Sequence, residues 1–272
     1  MATPCVMAIF AHPDDELAVA ATLAACVEEG AEVVLVCATL GDLGSHEEHT
    51  AENRERLAEV RRHELRCSCR RLGIRHLEVL AYGDSGWRPE HGTPPEGSLA
   101  RASAPEVIGR LVRLIRRHQP QVVITFGPDG LYGHRDHVAI GAYATAAFGA
   151  AGDEELYAED LQNGLSPWKP GRLFYVGMHE SQRQLLLADT GSEPVGRVTH
   201  TLVLEGQLRA KIDAARCHES QREMWEQMEG LLAVDEYRRL AATECLMLAQ
   251  SRPVPAAGSL PEGVTLRQLM AG

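Results

Sequence analysis

Residues 6–21 read Val6-Met7-Ala8-Ile9-Phe10-Ala11-His12-Pro13-Asp14-Asp15-Glu16-Leu17-Ala18-Val19-Ala20-Ala21, and this stretch decides the fold. An apolar run closed by a turn and followed by a second apolar run predicts a buried strand feeding a helix. His12, Asp14 and Asp15 then lie at the carboxyl end of a strand, the edge where open α/β sheets bind ligands. His12 and Asp15 are three residues apart at a helix start, so both can turn toward one point. Asp14, between them, is left free for chemistry.

A second stretch has the same architecture. Val122-Val123-Ile124-Thr125-Phe126 predicts a strand, Gly127-Pro128-Asp129-Gly130-Leu131-Tyr132-Gly133 a turn, and His134-Arg135-Asp136-His137 leads into a helix beginning Val138-Ala139-Ile140-Gly141. In a parallel sheet both clusters open on one edge. Taken singly, His-Pro-Asp-Asp reads equally as a helix N-cap with acids near the positive end of the helix dipole. His-x-x-His alone reads equally as a pair of surface imidazoles. Together, a His, an Asp and a second His make a three-ligand divalent site with one position open, the layout of a catalytic zinc. Nitrogen and oxygen donors fit Zn2+ best and also accept Fe2+, Co2+ or Ni2+.

The rest of the first half keeps the alternation. Gly30 stops the first helix, and Glu32–Cys37 reads as strand two. A long helix runs from about Ala51 to Leu72 and ends at Gly73. Leu77–Leu80 is strand three, 105–118 a helix and 122–126 strand four. This βαβ repetition predicts an α/β fold, a Rossmann-like mostly parallel sheet flanked by helices, with a smaller C-terminal α+β portion. Residues 1–150 form the metal-binding core, and 151–272 complete the same domain and shape the pocket. An acidic segment from Gly152 to about Pro170 reads as a hinge between the two. Beyond it, 172–176 and 199–204 read as strands and 206–219 and 235–248 as helices. The apolar end, Val264–Leu266 with Leu269–Met270, is read as packing on the body or mediating homo-oligomer contacts.

Composition excludes several roles. The 272 residues carry 27 basic and 38 acidic side chains, a net charge of −11, which disfavours nucleic acid or an anionic membrane as the main partner. Hydrophobic residues make up 44%, enough for a large core, but no stretch approaches a membrane span. No secretory pattern opens the chain, and a cytoplasmic location follows. The seven cysteines contain no Cys-x-x-Cys pair. Cys67 and Cys69 point to different faces of one helix, so reduced thiols are the simple reading. The arginines of the long helix alternate with glutamates, which predicts a solvated, ion-paired face rather than a nucleic-acid surface.

At these residues the chain resembles the LmbE-like superfamily of zinc-dependent de-N-acetylases, which includes the N-acetylglucosaminyl-phosphatidylinositol and mycothiol and bacillithiol pathway enzymes. Ala11–Glu16 and Tyr132–His137 carry the likeness most specifically. Arg61-x-x-Glu64, Leu72-Gly73-Ile74 and Asp84-Ser85-Gly86 support it, and weaker likeness continues to His218–Gln221. Arg135 stands where mycothiol-type members usually have proline. The resemblance implies His12, Asp15 and His137 as metal ligands and Asp14 as the base. A protonated His134 would stabilise an oxyanion, with Tyr132 as a second donor and Asp136 orienting an imidazole. It further implies an amino-sugar conjugate as the small-molecule partner, held by Arg61 and Asp84, with Trp87 as an apolar platform and His218 at the pocket rim. Three other readings stand beside a deacetylase. One is an amidase acting on a larger acyl conjugate. Another is a phosphoesterase on the same open metal site, which would want more basic residues or a second metal than are evident. The third is a non-catalytic metal- or sugar-binding module.

Overall fold

The computed structural model describes residues 3–44, 49–86, 92–186, 196–223, 225–226, 234–252 and 264–270. Seven strands form one sheet: β1 Cys5–Phe10, β2 Glu32–Thr39, β3 His76–Tyr82, β4 Val122–Thr125, β5 Arg172–Gly177, β6 His200–Val203 and β7 Thr243–Ser251. Their order is β3-β2-β1-β4-β5-β7-β6. The first five run parallel, with Cys5 beside Glu32 and Val6 beside Val122. β7 runs antiparallel to both β5 and β6. β1 is buried along its whole length, as a central strand covered on both faces must be.

The helices used below are α1 Ala20–Glu28, α2 Ala51–Leu72, α3 Ala104–His118, α4 Arg135–Ala150, α5 Leu208–Ala215, α6 Asp235–Ala241 and α7 Val264–Met270. α1, α2 and α5 pack together as one layer, and α3 packs on α4 as the other. Thr50 caps α2 by accepting from the Asn53 amide at 3.2 Å, and Gly73 closes it in the left-handed conformation. α7 packs against α1, where its first amides donate to the Glu29 carboxylate. No described helix is long and apolar enough to cross a membrane.

The chain leaves β1 on one side of the sheet and β4 lies beside it, so sheet order reverses between these two strands. A crevice opens at such a switch point. Gly141 lets α4 approach it closely, because a Cβ there would lie 2.5 Å from the Phe126 carbonyl oxygen. The first turn of α4 is thereby held against the end of β4, directly beside the turn that follows β1.

Three expectations need correction. Residues 235–248 do not form one helix: α6 ends at Ala241, and Thr243–Ser251 is strand β7. Leu246, Met247 and Leu248 suit a helix locally, but pairing with β5 and β6 on both edges outweighs that propensity. The acidic segment is anchored rather than hinge-like. Arg116, 1% exposed, donates to the carbonyls of Ala151, Asp153, Leu156 and Tyr157 at 2.7–3.1 Å. Cys67 and Cys217 are joined as a disulfide between α2 and the end of α5, across 150 residues of sequence. That separation is why spacing suggested free thiols. Cys5, Cys26, Cys37, Cys69 and Cys245 are free and buried.

Arg116→Met should therefore strand four carbonyls and leave the buried Asp160 to Arg113, lowering stability by roughly 3 kcal/mol or more. Arg113, 47% exposed on its ion pair with Asp160, should cost under about 1 kcal/mol as Ala. Paired denaturant melts check the contrast.

Candidate metal and active site

The geometry begins with the backbone at Asp14, where φ is 100° and ψ −21°, a left-handed conformation uncommon outside glycine. The kink sends three consecutive carboxylates in three directions. Asp15 folds back, its Oδ2 accepting from the Ala11 and His12 amides at 3.0 and 2.7 Å. Asp14 meets Arg61 Nη2 at 3.0 Å. Glu16 turns inward to His218 Nε2 at 2.6 Å and the Ser68 hydroxyl at 2.5 Å.

His12 joins the two clusters across the β1–β4 crevice. Its Nε2 lies 3.1 Å from Asp136 Oδ2. Its Nδ1 lies 3.2 Å from His137 Nε2 and 3.6 Å from Asp15 Oδ2. His137 Nε2 is in turn 3.1 Å from Asp15 Oδ1, and its Nδ1 is 3.1 Å from the Gly130 carbonyl. A neutral imidazole carries one N–H, and each ring has an oxygen acceptor at its outer nitrogen. The protons therefore sit on His12 Nε2 and His137 Nδ1. Two bare lone pairs and a carboxylate then face one another, an arrangement that a cation resolves. The surrounding carboxylates also favour a second proton on the His12 ring, which a bound metal ion would displace: burial opposes charge on His12, yet Asp84, Asp136 and Asp15 lift its pKa to about 9. Burial likewise opposes charge on Asp15, but His137 and His12 hold its carboxyl below the usual range.

His12 and His134 also belong to two further clusters of closely spaced potential ligands, one with His137 and one with Asp84 and Asp136. Hydrogen bonding argues against using Asp136 that way. Its Oδ2 also accepts from the Ser85 amide at 2.9 Å, and its Oδ1 accepts from the Ser85 hydroxyl. It is fully buried and orients His12, the pattern of a carboxylate behind a metal-binding imidazole. Ser85 was not singled out from sequence, although it adjoins Asp84 in a stretch that was.

His134 caps α4, its Nδ1 accepting from the Asp136 amide at 3.1 Å, so its proton sits on Nε2. Burial, reinforced by the neighbouring imidazoles of His12 and His137, pushes its pKa down to about 3. It is a neutral donor, not an imidazolium. The Tyr132 hydroxyl is 3.5 Å from His137 Nε2, and burial beside Asp15 and Asp14 keeps it a phenol. Asp14 is raised above the ordinary carboxylate range by burial, with Arg61 opposing the shift.

The expected substrate residues fare differently. Asp84 is 4% exposed, lines the cavity and lies 3.8 Å from His12 Nε2. Arg61 also lines it but spends its guanidinium on the protein, donating to Gly41 O at 3.0 Å, Pro13 O at 2.6 Å and Asp14. Gly41 and Gly44 make room for it, since a Cβ at either would lie within 2.3 Å of Nη1. His218 does not reach the rim. It is fully buried behind the wall against Glu16, while Gln221 and Trp225 farther along line the cavity. Trp87 lies outside the described residues. Sequence reading assigned no role to Glu16 or Lys211 and did not single out Glu244, because their roles depend on partners more than thirty residues away.

Comparison with known proteins places the chain in a family. Residues 7–148, more than half of the chain, match the family model PIG-L, GlcNAc-PI de-N-acetylase. A 1D-myo-inositol 2-acetamido-2-deoxy-alpha-D-glucopyranoside deacetylase from Kineococcus radiotolerans is 36% identical over 79% of this chain and 68% of its own length. A mycothiol S-conjugate amidase from Streptomyces coelicolor is 36% identical over 69% of this chain and 67% of its own length. In structure, N,N'-diacetylchitobiose deacetylase from Pyrococcus horikoshii superposes with a TM-score of 0.69 at 24% identity, over 90% of this chain and 83% of that one. The 4-carboxy-2-hydroxymuconate hydratase GalB from Pseudomonas putida reaches 0.67 at 18% identity, over 94% of this chain and 100% of that one. The fold is thus shared with a hydratase and does not itself select a reaction. The sequence match does: this chain belongs to the PIG-L, GlcNAc-PI de-N-acetylase family and is a hydrolase of carbon–nitrogen amide bonds.

Proposed function

We propose that this chain removes the N-acetyl group from an N-acetylglucosamine-containing small molecule, with one divalent ion, Zn2+ by donor type, held by His12, Asp15 and His137. The observation that carries the metal assignment is the pair of bare imidazole nitrogens 3.2 Å apart beside the Asp15 carboxylate. Such an ion supplies an activated water and polarises the acyl carbonyl. The other steps fall to the chain's own side chains.

Asp14 is the base. Its raised pKa and its anchor on Arg61 hold a carboxylate at the cavity wall beside the ligands without making it one. It takes a proton from the attacking water as the new C–O bond forms. It returns that proton to the amide nitrogen as the C–N bond breaks, leaving acetate and a free amine. His134 presents Nε2–H, and Tyr132 its hydroxyl, to the oxygen on which negative charge develops. Arg61 fixes the position of Asp14, and Asp84 is the residue we assign to a sugar hydroxyl. An amidase acting on a larger acyl group remains the second reading, supported by the Streptomyces coelicolor relative's printed activity and by a cavity of about 460 Å3.

Release of free amine from N-acetylglucosamine conjugates, lost on chelation and restored by Zn2+, is the expected result. Activity that survives complete metal removal would sink the proposal. His12→Ala and His137→Ala should each lose the bound ion, read by elemental analysis. Asp136→Asn leaves His12 without its orienting carboxylate and should weaken metal affinity ~10–100-fold in competition with a chelator. Asp14→Asn should retain the ion and lose ~10²–10⁴-fold in kcat. Loss of metal from that variant would exchange the roles of Asp14 and Asp15.

A further inference from the structure

The cavity over the metal cluster has two chemically different halves. The β1–β4 side presents His12, Asp14, Asp15, Asp84 and His134. The side built by β5, β7 and α5 presents Val176, Met178, Leu208, Ile212 and Trp225. The side-chain donors of Gln182, Gln221, Trp225 and Thr243 on that second side are already committed. Gln182 donates to the carbonyls of Leu240 and Thr243, at 2.9 and 2.8 Å, and accepts from the His179 amide at 2.9 Å. Gln221 donates to Gly44 O at 2.8 Å, and the Trp225 indole N–H to His218 O at 3.3 Å. Thr243 gives its hydroxyl proton to Arg239 O at 2.8 Å.

Among the described residues Lys211 is the one cation lining this half; it gives one of its three N–H groups to Glu244 at 2.8 Å, which neutralises its charge. Glu244 is itself saturated by the Ala21 and Thr22 amides and the Thr22 hydroxyl. Among the described residues, this half therefore offers a cyclitol or a second sugar few partners for its hydroxyls. A buried hydroxyl without a partner weakens binding by roughly tenfold or more. An apolar group there gains instead from leaving water, ~3–4-fold per methylene.

Resting on the amide-hydrolase reading, we infer that the substrate of this chain carries an apolar substituent of alkyl or aryl type, seated against Val176, Met178, Ile212 and Trp225 while the amide lies over the metal cluster. The substituent enters either as the aglycone of the amino sugar or as its acyl chain. In both cases the same wall recognises it. A polyhydroxylated aglycone such as inositol is the poorer fit.

The test uses the metal-loaded full chain and two ligand series. One holds the acetyl group constant and varies the glycoside from methyl through butyl and hexyl to phenyl. The other holds a methyl glycoside constant and lengthens the acyl group from acetyl to hexanoyl. An inositol glycoside of N-acetylglucosamine is the polar reference. In one series kcat/KM should climb ~3–4-fold per methylene until the chain fills the cavity, with the inositol compound below hexyl. The series that climbs identifies the side from which the substituent enters. Ile212→Gln and Met178→Gln should lower the hexyl-to-methyl ratio about tenfold. Two flat series, an inositol glycoside preferred to every apolar one, or a ratio untouched by both variants would overturn the inference. Calorimetric affinities of the same ligands for Asp14→Asn read the preference without turnover. A failed deacetylation and a failed apolar preference are thus separate results.

Discussion

An imidazole has two nitrogens and, when neutral, a single proton to place on them, and the site depends on how His12 resolves that choice. Asp136, across the β1–β4 crevice, takes the proton on Nε2 and leaves Nδ1 bare toward Asp15 and His137. Ser85 holds Asp136 with both its amide and its hydroxyl, so the orienting carboxylate has little freedom of its own. Residues from the ends of β1, β3 and β4 thus converge on one ring. Each is supplied by a parallel strand whose carboxyl end faces the same way, and the arrangement needs no contribution from the opposite sheet edge.

The three consecutive acids that follow show how environment divides identical chemistry. Asp15 is held low by two imidazoles, Glu16 is held low by His218 and Ser68, and Asp14 is pushed up by burial. Carboxylates driven apart in this way can take different roles at one pH. The left-handed turn at Asp14 makes the division possible, because an extended or helical backbone there would not send neighbouring side chains to Arg61, His137 and His218 at once. His218 belongs to this support. It neutralises Glu16 from behind the cavity wall, and the Cys67–Cys217 disulfide ties the preceding residue to α2.

The later part of the chain acts on the site from outside the metal cluster. β5 extends the parallel sheet, and β7 then reverses direction and brings Glu244 to the amides of Ala21 and Thr22 at the start of α1. That contact buries a carboxylate at a helix N-terminus, where the backbone dipole favours it, and fixes β7 against the first helix. α5, which precedes β7 in the chain, adds Lys211 and Ile212, so the apolar half of the cavity is built by residues more than thirty positions from any proposed metal ligand.

By itself the sequence determined the strand–turn–helix units, the two clusters at their ends, and hence the parallel sheet and the edge on which chemistry occurs. These are local properties. Apolar periodicity, a Pro or Gly turn, and His or Asp spacing within a few residues can be read without knowing what lies opposite. Tertiary structure decided everything that depends on a distant partner. It chose strand over helix for 243–251, because two neighbours supply hydrogen bonds that local propensity cannot register. It tied the cavity-lining guanidinium of Arg61 to Asp14, took His218 behind the wall, and joined Cys67 to Cys217. It also set which nitrogen of each histidine is bare, since a proton's position follows from an acceptor brought in by another strand.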